Sequence, residues 1–237
     1  MISGHRVVAV IPARGGSKSI PRKNLKPLAG RPLLVWSIDV ARRVPEVDRI
    51  IVSTDDAAIA QVARDHEAEV YERPAKLATD DALVIDALRD LIRRLRAEGE
   101  PATIMILLEP TCPLRSAPDV SACLQTLVDG KDSVATFRQA ELNPHRAWAI
   151  TDGCPVPFIS GAIPWLPRQK LPEAYQLNGA VYAFFTDRLP TDGRAILFGK
   201  AGAVMMPKER SIDIDDEADF ERIEALLRRR ANVQDPA

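Results

Sequence analysis

The chain has 237 residues and a mass of 26.1 kDa, enough for one well-buried core and too much for a disulfide-stapled mini-fold. Its 32 Lys and Arg against 33 Asp and Glu leave a formal net charge of -1, which excludes a protein that binds polyanions over its whole surface. The cysteines, Cys112, Cys123 and Cys154, are widely spaced and form no C-x-x-C pair, so neither a disulfide framework nor a zinc site is expected.

Apolar runs such as Val7 to Ile11 and Ile104 to Leu108 last about five residues, far short of the ~18 that span a bilayer. With the cysteine usage, this reads as an unprocessed, cytoplasmic protein with no membrane and no nucleic-acid partner. Those two runs, with Ile50 to Val52 and Ser133 to Phe137, are continuous rather than alternating, as in strands covered on both faces. Helical patterns lie between them. One begins after Pro32 with Leu33 to Ile38; a second runs from Asp56 to Glu67 behind a Thr54 or Asp55 cap; a third runs from Asp81 to Glu98 and stops at Gly99. A fourth starts at Ser116, Pro118 and Asp119 and ends near Gly130, and the last covers Asp216 to Arg230. The alternation predicts an α/β fold with a mostly parallel sheet and helices on both faces. Residues 1–230 are expected to form a single domain and 231–237 a disordered tail.

Residues 138–176 break the rhythm. They are rich in proline, carry Trp148 and Trp165, and are too many for a connecting loop in a compact domain. A lid, a small subdomain or a subunit contact would each account for them.

Two segments carry chemistry. From Arg14 to Arg31 there are six cations and no acid, directly after the first strand, where open α/β sheets bind ligands. Gly15 and Gly16 let backbone N–H groups approach phosphate oxygens, Arg supplies forked donors and Lys a mobile charge; a triphosphate is the natural guest. The Walker pattern and the dinucleotide fingerprint are both absent. The second segment, Ser211 to Asp216, alternates strictly. It reads as an extended strand with Ile212 and Ile214 inward and Asp213 and Asp215 on one face, about 6.5–7 Å apart. Paired carboxylates beside a phosphate site suit a divalent metal; the other reading is that Asp215 or Asp216 caps the helix that follows.

The run Ile11-Pro12-Ala13-Arg14-Gly15-Gly16-Ser17-Lys18 with Ile20-Pro21-Arg22-Lys23-Asn24 resembles the signature of the acylneuraminate cytidylyltransferases, or CMP-sialic acid synthetases. Further matches follow in order: Val52 to Asp55, Arg73-Pro74-Ala75 with Leu77 to Asp80, Pro110-Thr111 with Pro113-Leu114-Arg115, Asn178 to Tyr182, and Asp213 to Asp215. The resemblance implies a Rossmann-like nucleotidyltransferase fold in which 138–176 is a dimerisation or lid insert. It implies transfer of CMP from CTP to the anomeric hydroxyl of a nine-carbon, sialic-type acid, with Mg2+ as cofactor and a homodimer as the working unit. Arg14, Gly15, Ser17, Lys18 and Asn24 are then expected at the nucleotide, and Arg73 near the cytosine. Arg14, Lys18, Lys23 and Asp213 are the expected catalytic groups. Asn24, Asn178 and Tyr182 would meet the sugar, Arg168 would reach a neighbouring subunit's sugar site, and Asp213 and Asp215 would hold the metal. Alternatives are CMP transfer to an eight-carbon 3-deoxy acid and a non-catalytic nucleotide-sugar binding protein. Two residues depart from the family pattern. Glu109 stands where Gln is usual and Cys112 where Ser is common, so the sugar's identity stays open: Glu109 favours an acid with extra donors, or pairs with a nearby cation.

Overall fold

In the computed structural model, which describes residues 1–17 and 19–234, seven strands form the central sheet. The chain order is β1 (Val7–Pro12), a small hairpin of β2 (Pro27–Leu28) and β3 (Arg31–Pro32), α1 (Leu33–Arg42), β4 (Arg49–Thr54), α2 (Ala57–Asp65), β5 (Glu69–Glu72), α3 (Val84–Ala97), β6 (Ile104–Leu107), α4 (Ala117–Val128) and β7 (Ser133–Gln139). An outlying hairpin of β8 (Trp148–Thr151) and β9 (Cys154–Pro157) follows, then β10 (Tyr175–Phe185), β11 (Ala201–Met205) and α5 (Glu217–Gln234). The sheet runs β11-β7-β10-β6-β1-β4-β5 and is parallel throughout except at β10, which is antiparallel to both neighbours. The fold is the expected Rossmann-like α/β arrangement.

Strand β1 shows why its apolar run is unbroken. Val7, Ala9 and Ile11 enter one core with Leu34, Ile38, Ile59, Val120 and Leu124, so α1, α2 and α4 cover that face. Val8 and Val10 enter a second core with Leu88, Leu91 and Leu95 of α3 and Phe184 of β10. Both sides of the pleat are dry, the condition that removes polar alternation from a parallel strand. A third cluster joins Ile20 of the basic loop, Leu33, Leu114, Ile212, Ile214 and Phe220. It anchors the two chemically suggestive segments to one another.

Several expectations need correction. Residues 211–216 form no strand, although Ile212 and Ile214 are buried as their alternation predicts. Their backbone is held instead by single bonds such as Ile214 N–H to the Thr111 carbonyl, 2.9 Å. Helix α3 starts at Val84, three residues after the expected Asp81, because Thr79 to Leu83 form a turn that reaches the basic loop. Helix α5 continues past Arg230 to Gln234; the remainder of the expected tail, 235–237, lies outside the described residues, as does Lys18. The excursion expected at 138–176 leaves after β7 and returns at β10, carrying the β8–β9 hairpin. Among the described residues, no helix is long and apolar enough to cross a membrane.

Candidate active site

Parallel strands β1, β4 and β6 all deliver their C-terminal ends to one edge of the sheet, and a cavity of about 370 Å³ opens there. Arg14, Ser17, Lys23, Asn24 and Arg73 all line it, with Glu109, Pro110 and Thr111 from the loop after β6. The loop after β1 is folded by its own contacts. Arg22 takes a left-handed conformation (φ 53°) that turns the chain into a single 3-10 turn, and the Asn24 amide donates to the Arg14 carbonyl at 3.1 Å. Gly15 sits so close to α2 that a Cβ there would lie 2.8 Å from Asp56 Oδ2. Asp56 is also the N-cap of that helix, accepting from Ala58 and Ile59 N–H groups.

Two donors expected to meet phosphate are held by acids in this state. Gly15 N–H donates to Asp55 Oδ1 at 3.0 Å, and Arg14 Nη1 donates to the Thr79 carbonyl at 3.1 Å and to Asp80 Oδ1 at 2.9 Å. Asp55 and Asp80 fall inside the recognised motifs, yet nothing in their spacing assigned them these partners. Arg73 is buried and its guanidinium bonds Ser53 Oγ at 3.0 Å and the Ser53 carbonyl at 2.9 Å; burial lowers its pKa.

The acidic segment meets the basic loop at Lys23, whose ammonium donates to the Ile214 carbonyl, between Asp213 and Asp215, at 2.8 Å. A second link is the ion pair of Lys26 with Glu217, the ammonium lying 4.4 Å from the centre of the Phe220 ring. The cap of α5 is taken by Asp216, which accepts from Asp219 N–H at 3.0 Å, while Asp219 accepts from Asp215 N–H at 3.1 Å. The Asp215 carboxylate is therefore not the cap. Burial, and then the charge of Asp213, raise its pKa. Across the cleft floor, burial and then Asp213 lift the Glu109 carboxyl from the usual 4.5 to about 7, against the pull of Arg115 and Lys23.

That shift predicts a pH dependence. An acid that holds its proton more tightly folded than unfolded stabilises the fold fully below about 4.5, and the contribution is lost as pH rises through about 7. Glu109→Gln is expected to flatten this part of the stability curve, measured by urea unfolding at a series of pH values across that window.

Other expected residues fall differently. Asn178 is buried and its amide is spent inside the protein: Oδ1 accepts from Thr136 Oγ1 at 2.6 Å and from Ala180 N–H at 3.1 Å, and Nδ2 donates to Ser211 Oγ at 3.0 Å. It fixes the irregular turn of β10 at Gly179 and offers no free amide to a sugar. Tyr182 is half-buried, and its hydroxyl pKa is raised by burial, then by Glu109, Cys112 and Asp213, which sets it beside the acidic end of the cleft. Arg168 is not brought to the cleft of its own chain. It is exposed on a separate cavity of about 530 Å³ with Glu141, Arg146 and Pro172. Cys112 is buried, donates to the Asn178 carbonyl at 3.0 Å and is pushed well above the usual thiol range by burial, so it is a packing residue.

Arg115, quoted only as part of a motif, proves to be a central support. It is 3% exposed. Its Nη1 donates to the carbonyls of Glu109 at 2.8 Å and Ala180 at 2.7 Å, and its Nη2 bonds Ser37 Oγ of α1. Burial lowers its pKa to about 10, so it stays charged at neutral pH.

The cytidylyltransferase family model matches residues 8–146. The chain belongs to the cytidylyltransferase family. The expected activity is thus supported at that level. Among its relatives, post-translational flagellin modification protein B of Campylobacter coli is 31% identical over 96% of this chain and 97% of the relative. The CMP-N,N'-diacetyllegionaminic acid synthase of Legionella pneumophila is 31% identical over 94% and 96%. An N-acylneuraminate cytidylyltransferase of Streptococcus agalactiae is 29% identical over 90% of this chain, which spans about half (51%) of that relative's length. Among solved structures, CMP:2-keto-3-deoxy-manno-octonic acid synthetase complexed with CTP superposes with a TM-score of 0.70 at 20% identity, covering 95% of this chain and 99% of that one. This last likeness is one of fold.

Proposed function

We propose that this cytidylyltransferase transfers CMP from CTP to the anomeric hydroxyl of a nonulosonic acid and releases pyrophosphate. The observation that carries the reading is the bond from Lys23, which lines the cavity, to the Ile214 carbonyl, which ties the phosphate-suited loop to the segment that carries Asp213 and Asp215. The relatives named for N-acylneuraminate and N,N'-diacetyllegionaminic acid support the nine-carbon class.

The chemistry follows from charge. The hydroxyl oxygen bonds to the α-phosphorus, the bond to the β-phosphate oxygen breaks, and negative charge gathers on oxygens that need cations already in position. Arg14 and Lys23 line the cavity and are suited to that task; the same role for Lys18 rests on its motif alone. Ser17 and Asn24 are suited to orient the phosphates and the incoming hydroxyl, and Arg73 to bound the base end. Asp213 is assigned to orient the attacking hydroxyl and accept its proton.

For Mg2+, the donor chemistry fits. Asp213 and Asp215 are hard oxygen donors, burial and then the charge of Asp213 raise the Asp215 pKa, and magnesium takes one or two carboxylates together with substrate phosphates. Among the described residues no group of three or more His, Cys, Asp or Glu is placed to hold a metal alone; substrate phosphate oxygens and water would complete the coordination. When bound, the ion would supply positive charge to the phosphate oxygens. The test is pyrophosphate release with each nucleoside triphosphate and a panel of nine- and eight-carbon sugar acids, with and without Mg2+. CTP with a nine-carbon acid is the expected pair. Preference for the eight-carbon acid moves the chain to its rival, and no release at all leaves a binding protein.

The excursion between β7 and β10 supports a homodimer. Trp165, Phe158 and Ile150 are 82%, 70% and 68% exposed, and the Trp148 and Trp165 rings lie 5.8 Å apart on the same outlying unit. Clustered aromatics left in water by one chain suit a self-complementary contact. Arg168 sits on this unit, which is how it would serve a partner's sugar site. Trp165→Glu is expected to shift the protein to monomer in sedimentation and to lower activity, most strongly at low enzyme concentration.

A further inference from the structure

The segment that carries Asp213 and Asp215 belongs to no strand, so no ladder sets its position. Side chains pin it instead. Ile214 is held by its N–H to the Thr111 carbonyl at 2.9 Å and by the Lys23 ammonium on its own carbonyl at 2.8 Å. Ser211 Oγ accepts from Asn178 Nδ2 at 3.0 Å and donates to the Pro207 carbonyl at 2.9 Å. Arg210 supplies a third pin. From the single 3-10 turn Lys208–Arg210 it reaches the head of α4, where Nη1 donates to Asp119 Oδ2 at 2.5 Å and to Ser116 Oγ at 2.6 Å, and Nη2 donates to Asp119 Oδ1 at 3.0 Å.

This grip is more than α4 needs. Ser116 and Asp119 already form a capping box, with Asp119 Oδ2 accepting from the Ser116 N–H at 2.8 Å and from its hydroxyl at 2.6 Å. Such a box is complete without an arginine. The Asp119 side chain is only 8% exposed, and a forked guanidinium on both oxygens of a carboxylate fixes direction as well as distance, which an ammonium does not. The fixed point lies three residues before Asp213. Because Asp119 matches its charge, Arg210 acts on the acidic segment through placement and not through its own field.

We propose that Arg210 is a positioning residue for the reaction: its two-pronged grip on Asp119 sets where Asp213 and Asp215 stand, and so sets the affinity of the site for its divalent metal. The inference rests on the reading of those two carboxylates as the protein's share of the metal site. A contact that orients metal ligands is felt in affinity even though it never touches the ion.

The experiment titrates Mn2+ into the enzyme–CTP complex with no sugar acid present and follows free Mn2+ by its EPR signal, which reads metal affinity without turnover. Arg210→Met is expected to weaken Mn2+ binding about tenfold, the lower end of the loss when a supporting contact of a metal site is removed. Arg210→Lys, with one prong, is expected to recover only part of it. Arg210→Met also leaves Asp119 charged and unpaired, which by itself costs stability. The deciding variant is therefore the double Arg210→Met, Asp119→Asn, which keeps a capping oxygen and buries no lone charge. An arginine that only stabilises the fold would let the double variant regain both Tm and Mn2+ affinity; here Tm is expected to recover and affinity to stay low. Wild-type Mn2+ affinity in the double variant overturns the inference. Asp215→Asn separates the two readings. If it weakens Mn2+ binding while the double variant does not, the inference alone fails; if it leaves Mn2+ affinity unchanged, the metal reading fails first and the inference falls with it.

Discussion

Arg115→Met is expected to destabilise the folded chain by about 3–5 kcal/mol, because it leaves several buried acceptors without a donor. Three acceptors lose their donor at once: the carbonyls of Glu109 and Ala180 and the hydroxyl of Ser37. Each unpaired buried group costs about 1–3 kcal/mol, offset in part because the apolar replacement no longer has to bury a charge. For a chain of this size, each kcal/mol moves Tm by roughly 2–4 °C, so a fall of about 6–20 °C is expected by calorimetry. Arg115→Lys is expected to recover only part of it. A single ammonium lacks the planar fork that spans α1, the end of β6 and β10 together. At temperatures where the variant is still folded, its KM for the sugar is expected to rise more than its KM for CTP, since the bonds lost are those that place Glu109 and Ala180. Equal Tm values for the wild type and Arg115→Met would show that those contacts do not hold the cleft floor.

How much of this was legible depends on how local the cause is. Val7 to Ile11 reads as a doubly covered strand because each residue meets one of two cores, and α3 reads as a helix because Leu88, Leu91 and Leu95 fall on one face. Strands β10 and β11 were not legible. Tyr175 to Gly179 mixes Gln, Asn and Gly, and Ala201-Gly202-Ala203 has low strand propensity; both are strands because β7 lies between them and pairs with each. At Ser211 to Asp216 the alternation correctly sorted Ile from Asp, yet the segment has no ladder, since period 2 records burial and not pairing.

The site divides in the same way. Arg14, Ser17, Lys23 and Asn24 are close in sequence, and one loop delivers them to one cavity. Asn178, by contrast, looked like a ligand residue because it lies in a motif, while its bonds to Thr136 and Ser211 come from 42 and 33 residues away. Arg115 and the Asp80 partner of Arg14 are equally non-local. Motif membership marks such residues without saying whether they touch ligand or protein. Arg168 is a further kind of case, since a single chain leaves it outside the cleft, on a separate cavity, and its expected role depends on the proposed homodimer.

Asp213→Asn separates chemistry from fold, and for this variant a fall in kcat of about 10²–10⁴-fold is expected, the range for a positioned proton acceptor. The residue lies where both halves of the site converge. Its Oδ1 is 3.6 Å from the Cys112 thiol, the next residue's carbonyl takes the Lys23 ammonium, and that residue's N–H bonds the loop after β6. The asparagine keeps shape and acceptor oxygen but loses the charge, so backbone placement is preserved while the basicity is not. Stability should move the other way. Asp213 raises the pKa of both Glu109 and Asp215 by like-charge repulsion, and removing that charge is expected to leave Tm unchanged or slightly higher at neutral pH. Lower activity with equal or greater stability is what a site holding unfavourable charge for the sake of its reaction displays. Asp215→Asn should share the stability gain, because Asp216 and Asp219 already cap α5, and its activity loss should shrink as Mg2+ is raised. If Asp213→Asn turned over at the wild-type rate with saturating Mg2+, the proton would have to be taken elsewhere, and Glu109, whose carboxyl lines the cavity, would be the first group to test.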